Sequence, residues 1–320
     1  MTSAASTTDS AGGPSPVVAK GPVPEGPGGS RRRLPRPRLA AYLLPAVVVC
    51  AALGVYPIVQ MVRMSVSDVG PATLIADWEF LGAENFREVL DSDTFWPAVK
   101  ATLVFTGVLL VVDLVIGYVA AAVLARPSRL TSAVLSLMVF VWALPPLVSG
   151  SVWKFLLAGD GLVNSTLELV GLPAVDWLSD PDLALWSVSL VAAWASLPFA
   201  ILIIRGGMLA IPKEVLEAAS LDGAGPVRQA VSVTIPLLRP TLAVLTILVV
   251  LYAFRSFDFV YVMTSGGPGT VTTTLPFLAY QEAFRTYSFG IGAAIASMLM
   301  VVIALLAVPY AWGVRKEESA

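Results

Sequence analysis

The chain offers few side chains that could perform bond chemistry. It has no histidine and a single cysteine, Cys50, set in an apolar run. That removes the commonest general base, the commonest metal ligand and any internal disulfide. No Gly-x-x-x-x-Gly-Lys-Ser/Thr phosphate loop occurs, and the pairs Gly206-Gly207 and Gly266-Gly267 read as turns. What remains are ionisable groups in apolar surroundings. Arg255 and Asp258 lie within one hydrophobic stretch, roughly 22 Å along a helix counted from Pro240 at about 1.5 Å per residue. Their i,i+3 spacing predicts a shared helix face, with Tyr252, Phe254 and Tyr261 around them. Charges at such depth face a bundle interior or a water-filled path. Rings beside charged hydrogen-bonding groups suit a sugar or polyol, and a structural ion pair is the competing reading. Asp113 stands alone in a second stretch, either as a buried hydrogen-bonding group or as part of a path. Trp142 with Leu144-Pro145-Pro146, and Trp194 with Pro198, mark helix kinks that serve packing or line a substrate route.

The elements that must hold these groups are membrane helices. Of 320 residues, 57% are hydrophobic and 13% charged, against about 25% charge in a soluble domain. Mean hydropathy is +0.80. A net charge of −2 gives no basic footprint for nucleic acid. Six apolar stretches are long enough to span a bilayer: 39–64, 99–124, 131–156, 183–205, 240–263 and 289–312. The first is longer than a signal-peptide core and lacks a small-residue cleavage site, so it reads as a helix that stays. Residues 1–38 read as a disordered tail ending in Arg31, Arg32, Arg33, Arg36 and Arg38, and residues 313–320 as a second short tail. Of the 20 Lys and Arg, only Arg63, Arg87, Lys100, Lys154, Arg255 and Arg285 fall outside the basic segments. The positive-inside rule then puts both termini in the cytoplasm.

One cytoplasmic segment, 206–238, is more than a connector. Pro212 and Glu214 suit a helix start, Gly223 and Gly225 a helix end. Val215, Leu216 and Ala219, with Leu221, are expected to line one side. A helix lying on lipid headgroups is the plain alternative, but it would carry more basic residues.

Glu217-Ala218-Ala219, then Gly223, then Val233-Thr234-Ile235-Pro236 resembles the EAA loop of binding-protein-dependent ABC transporter permeases. Val233 and Ile235 replace the usual Ile and Leu. Two further stretches, Phe80 to Trp96 and Phe254 to Thr274, are similar to the sugar-type permease that pairs with a second, different permease. The resemblance covers all but residues 1–38. It implies an all-α membrane protein of the type I ABC importer architecture, in a prokaryotic cell membrane. It implies docking of Glu214, Glu217, Ala218, Ala219, Asp222, Gly223, Ala224 and Gly225 on an ATPase. The implied partners are two cytoplasmic ATPase subunits, which would bind ATP and Mg, a second permease and an extracytoplasmic solute-binding protein. The implied cargo is a carbohydrate, polyol or polyol-phosphate. Tyr252, Phe254, Arg255, Asp258 and Asp113 are the substrate-path candidates. No cofactor or metal is expected on this chain, nor catalysis. An ion-driven transporter or channel would call for inverted repeats or broken helices in corresponding halves; no convincing repeat is seen, and that reading leaves the Glu217–Pro236 loop without a role.

Overall fold

In the computed structural model the backbone is described for residues 44–317 and side chains for residues 44–307. The tail expected at 1–38, the first residues of the expected first span and residues 318–320 lie outside that range. The chain separates into residues 1–53 and 54–320.

Among the described residues the regular structure is helical apart from a two-stranded antiparallel ribbon, β1 (Ser67–Asp68) with β2 (Glu79–Phe80). Four helices among the described residues are long and apolar enough to cross a membrane: α1 (Leu44–Ser65), α3 (Phe95–Val123), α7 (Ala184–Leu209) and α13 (Phe289–Glu317). A short α2 (Glu84–Asp91) precedes α3. The last helix passes the expected boundary at 312 and runs to Glu317.

The other two expected spans are bent. The third, 131–156, divides into α4 (Arg129–Trp142) and α5 (Pro146–Leu156), at 100° to each other. The cause is local. A residue before proline is driven out of the helical region, and Pro145, preceding Pro146, adopts ψ 135°. Pro146 then starts α5, where its missing N–H costs nothing. After α5 comes α6 (Leu162–Leu169). The fifth span, 240–263, is also not one helix. It divides into α10 (Arg239–Arg255) and α11 (Asp258–Met263), separated by Ser256 in an extended conformation with ψ 111°. No proline marks this break. Phe257 there stacks on Tyr261 and Phe277 and packs against Tyr280, with ring centroids 4.8–5.8 Å apart.

The cytoplasmic segment forms α8 (Lys213–Leu221) and α9 (Pro226–Leu237), the latter bent 74° against α10. Gly206 and Gly207, expected as a turn, instead occupy the last turns of α7. A side chain at Gly207 would lie 2.8 Å from Leu238 and 2.9 Å from Thr241, so glycine lets α7 meet the start of α10. Between α11 and α13 lies α12 (Leu275–Phe284).

The central helix is α7. Ala192, Ala193 and Ala200 are fully buried, and small residues let helix backbones approach where lipid offers no hydrophobic drive. Phe105, Leu109, Ile201, Ile204 and Leu245 complete the cluster around it. A second cluster, with Val89, Phe95, Phe254, Leu278 and Ile295, joins α2, α3, α10, α12 and α13.

Candidate functional site

The first site is a cavity of about 420 Å³ walled by α3, α4, α7 and α10 and by the bend between α4 and α5. Asp113 enters from α3 on a π-helical turn, Val112–Ile116. Such a one-turn widening often occurs at functional positions. Its carboxyl is fully buried. Ser196 of α7 donates its hydroxyl to Asp113 Oδ2 at 2.8 Å, while Oδ1 has no partner. From α4 comes Trp142, which stacks on Phe199 of α7 at 5.6 Å and 19°. Leu144 and Pro146, at the bend, reach the cavity wall, as does Tyr252 of α10. The double proline therefore opens a wall of the cavity in addition to bending the chain. Leu248 and Val249 make the remaining wall apolar.

The expected substrate-path set is thus divided. Asp113 and Tyr252 line one cavity. Phe254 is nearly buried in the second cluster and lines a separate groove that presents no polar surface. Arg255 is exposed at the last residue of α10, and Asp258 is half-buried in the first turn of α11. The shared helix face expected for Arg255 and Asp258 is absent, because Ser256 leaves the helix between them. Each charge instead sits at the helix end its sign suits, Arg255 at a C-terminus and Asp258 at an N-terminus. Tyr261 belongs to the Phe257–Tyr280 aromatic group. Ser196 and Phe199 were not among the expected site residues. Only the neighbouring Trp194 and Pro198 drew notice, since a serine in an apolar helix carries no signal until its partner is known.

The second site is the α8 segment. Its end is a Schellman motif: the Ala224 N–H donates to Ala219 O at 3.0 Å and the Gly223 N–H to Ser220 O at 3.1 Å. Gly223 supplies the left-handed residue this motif needs, with φ +77°. Gln229 of α9 donates to Leu216 O at 2.7 Å and to Ser220 Oγ at 3.2 Å, fastening α9 to α8. Glu214, Glu217, Ala218, Asp222, Gly223 and Gly225 are exposed, and Ala219 and Ala224 are half-buried. Val215 is 39% exposed, while Leu216 and Ala219 share one half-buried side as expected. Leu221 does not: it is 89% exposed, as is Val227 at 78%. The helix turn that half-buries Leu216 and Ala219 points position 221 away.

Beyond α11 the Gly266-Gly267-Pro268 turn and the threonines after it form one hydrogen-bonded unit. Thr272 Oγ1 donates to Gly267 O at 2.8 Å. The Leu275 N–H donates to Thr102 Oγ1 of α3 at 2.8 Å. Thr272, Thr273 and Thr274 are buried.

Residues 113–316 match the family described as binding-protein-dependent transport system inner membrane component. The chain belongs to this family. It is 34% identical to the diacetylchitobiose uptake system permease protein DasB of Streptomyces coelicolor, over 92% of this chain and 93% of that one. It is 31% identical to the trehalose/maltose transport system permease protein MalF of Thermococcus litoralis, over 84% and 90%. Among solved structures, a bacterial ABC transporter involved in the import of the acidic polysaccharide alginate aligns with a TM-score of 0.74 at 20% identity, over 87% of this chain and 95% of that one. The chain is therefore a multi-pass membrane permease subunit of an ABC importer that works with a binding protein, and not an enzyme. Bent spans, which could also suit an ion-driven transporter, here occur within an ABC permease.

Proposed function

We propose that this permease forms, with a second and different permease, the path for a sugar or related polyol. Two cytoplasmic ATPase subunits would drive it, and an extracytoplasmic binding protein would deliver the cargo. One observation carries the reading. Helix α8 lies in sequence between α7 and α10, and both of those helices wall the cavity, through Ala195, Ser196 and Phe199 on one and Leu248, Val249 and Tyr252 on the other. A force applied at α8 reaches both walls through short, hydrogen-bonded connections. In this reading Glu214, Glu217, Ala218, Ala219, Asp222, Gly223, Ala224 and Gly225 meet the ATPase. ATP and Mg bind on that partner, and this chain needs no cofactor of its own.

The cavity supports a saccharide cargo in its own right. Trp142, Phe199 and Tyr252 offer ring faces for sugar C–H surfaces, and Asp113 and Tyr252 offer hydrogen bonds for hydroxyls. Both named relatives are permeases for saccharides. Arg255 and Asp258 lie outside this cavity and would act at the α10–α11 break.

Mass determination of the detergent-extracted complex tests the assembly. The expected result is one copy each of this chain and a different permease with two ATPase subunits, stimulated by a loaded binding protein. A transport-competent complex containing this chain as its sole permease would overturn the two-permease arrangement.

A further inference from the structure

The polar lining of the α3–α4–α7–α10 cavity has one sign. Among the described residues Asp113 is its single acidic residue and no Lys or Arg lines it, and the chain has no His. Ser196 satisfies only Oδ2, and Oδ1 is buried without a partner. The remaining polar groups of the wall are the Tyr252 hydroxyl and the Trp142 indole N–H. A buried acceptor with no donor is costly, and a group that donates to it relieves that cost. An anionic group brought into the same apolar surroundings would meet this carboxyl and, among the described lining residues, no cation to offset its own desolvation. Specificity often rests on such a repulsive element, beyond the contacts that favour the right ligand.

We propose that Asp113 sets the charge class of the cargo. It admits saccharides that present hydroxyl or amine donors and excludes anionic ones such as uronates and sugar phosphates. This rests on the reading of the cavity as a saccharide path, and it narrows the polyol-phosphate option left open by the sequence. The fold alone leaves ligand charge open, since the alginate importer with the same fold takes an acidic polysaccharide.

The test uses three disaccharides of one skeleton: cellobiose, its diamino analogue and its uronic acid. Each is titrated by equilibrium dialysis against the complete permease–ATPase complex in nanodiscs, without binding protein, so that only the membrane site is read. The expected result is that the neutral and amino sugars bind at least about tenfold more tightly than the uronate, and that Asp113→Asn brings the uronate within about threefold of cellobiose. Asparagine keeps the side-chain shape and an acceptor for Ser196 while removing the charge. Equal wild-type affinity for cellobiose and its uronate would overturn the proposal, as would an Asp113→Asn complex that keeps the wild-type ratio. Should Asp113→Asn fail to assemble, the wild-type ratio alone decides. Binding of none of the three would remove the saccharide path itself and the proposal with it; binding without charge preference would remove only the proposal.

Discussion

The α8 segment and the membrane cavity are built in opposite ways. In α8 the residues proposed to dock lie in one short stretch, mostly exposed, and are shaped by local hydrogen bonds within residues 212–229. In the cavity they come from four helices, and the hydrogen bond between side chains there spans positions 113 and 196. A surface that must dock on another chain can be written in one stretch of sequence. A path through a bundle cannot, because each helix contributes one face. The two sites therefore respond differently to substitution: α8 through backbone conformation at single positions, the cavity through partners distant in sequence.

The largest effect is expected at Gly223. Its φ of +77° is a region where a β-carbon costs roughly 1–2 kcal/mol. Nothing lies within 4 Å of the place a β-carbon would occupy, so the chain itself has room and the loss comes from the backbone and from docking. Gly223→Leu should abolish substrate-stimulated ATP hydrolysis by the assembled complex while the permease still inserts. Gly223→Asn, which tolerates the left-handed conformation, should retain a measurable part. Equal loss in both variants would shift the cause from backbone to surface contact. Normal coupled hydrolysis in Gly223→Leu would remove α8 from the coupling role and collapse the contrast between the two sites.

The next effect belongs to the cavity. Ser196→Ala leaves both carboxyl oxygens of the buried Asp113 without a donor among the described residues. Loss of a single donor to a buried polar group costs about 1–3 kcal/mol. A lower melting temperature of the complex and weaker cargo binding are expected together, with basal ATP hydrolysis in the absence of cargo preserved. Unchanged melting and binding would mean that the 113–196 contact does not organise the cavity.

Legibility in the sequence followed the same division. The α8 helix, with its proline start and glycine end, could be read because capping signals act within a few residues. The long spans were legible from apolar length alone, which is why the limits of α3 and α7 fall close to the expected ones. The bend at Pro145-Pro146 was visible as a kink, but its 100° turn and its place in a cavity wall depend on packing against α7. The break at Ser256 was not visible: Ser256-Phe257 carries no proline or glycine, and Phe257 leaves the α10 helix for rings contributed by α11 and α12. Helical spacing then suggested a pair, Arg255 with Asp258, whose shared helix does not exist. Leu221 failed for a smaller reason, since α8 ends at that residue and the helical period has no inward face left to continue.

The smallest expected effect tests that corrected pair. If Arg255 and Asp258 shared a helix face and an ion pair, removing either charge would remove the same interaction, and the double variant would cost less than the sum of the singles. The geometry gives each charge a separate task. Arg255 is the last residue of α10, and Asp258 the first residue of α11. Such helix-end charges contribute about 0.3–1 kcal/mol apiece. Arg255→Gln and Asp258→Asn should therefore each lower the melting temperature of the complex slightly, and their effects should add within roughly 0.5 kcal/mol. Exchanging the two, Arg255→Asp with Asp258→Arg, should be worse than either single change, because both helix ends then meet the wrong sign. An ion pair predicts the reverse: exchange would restore what the singles lose. A swapped complex with wild-type melting and transport would restore the pair and remove the helix-end assignment.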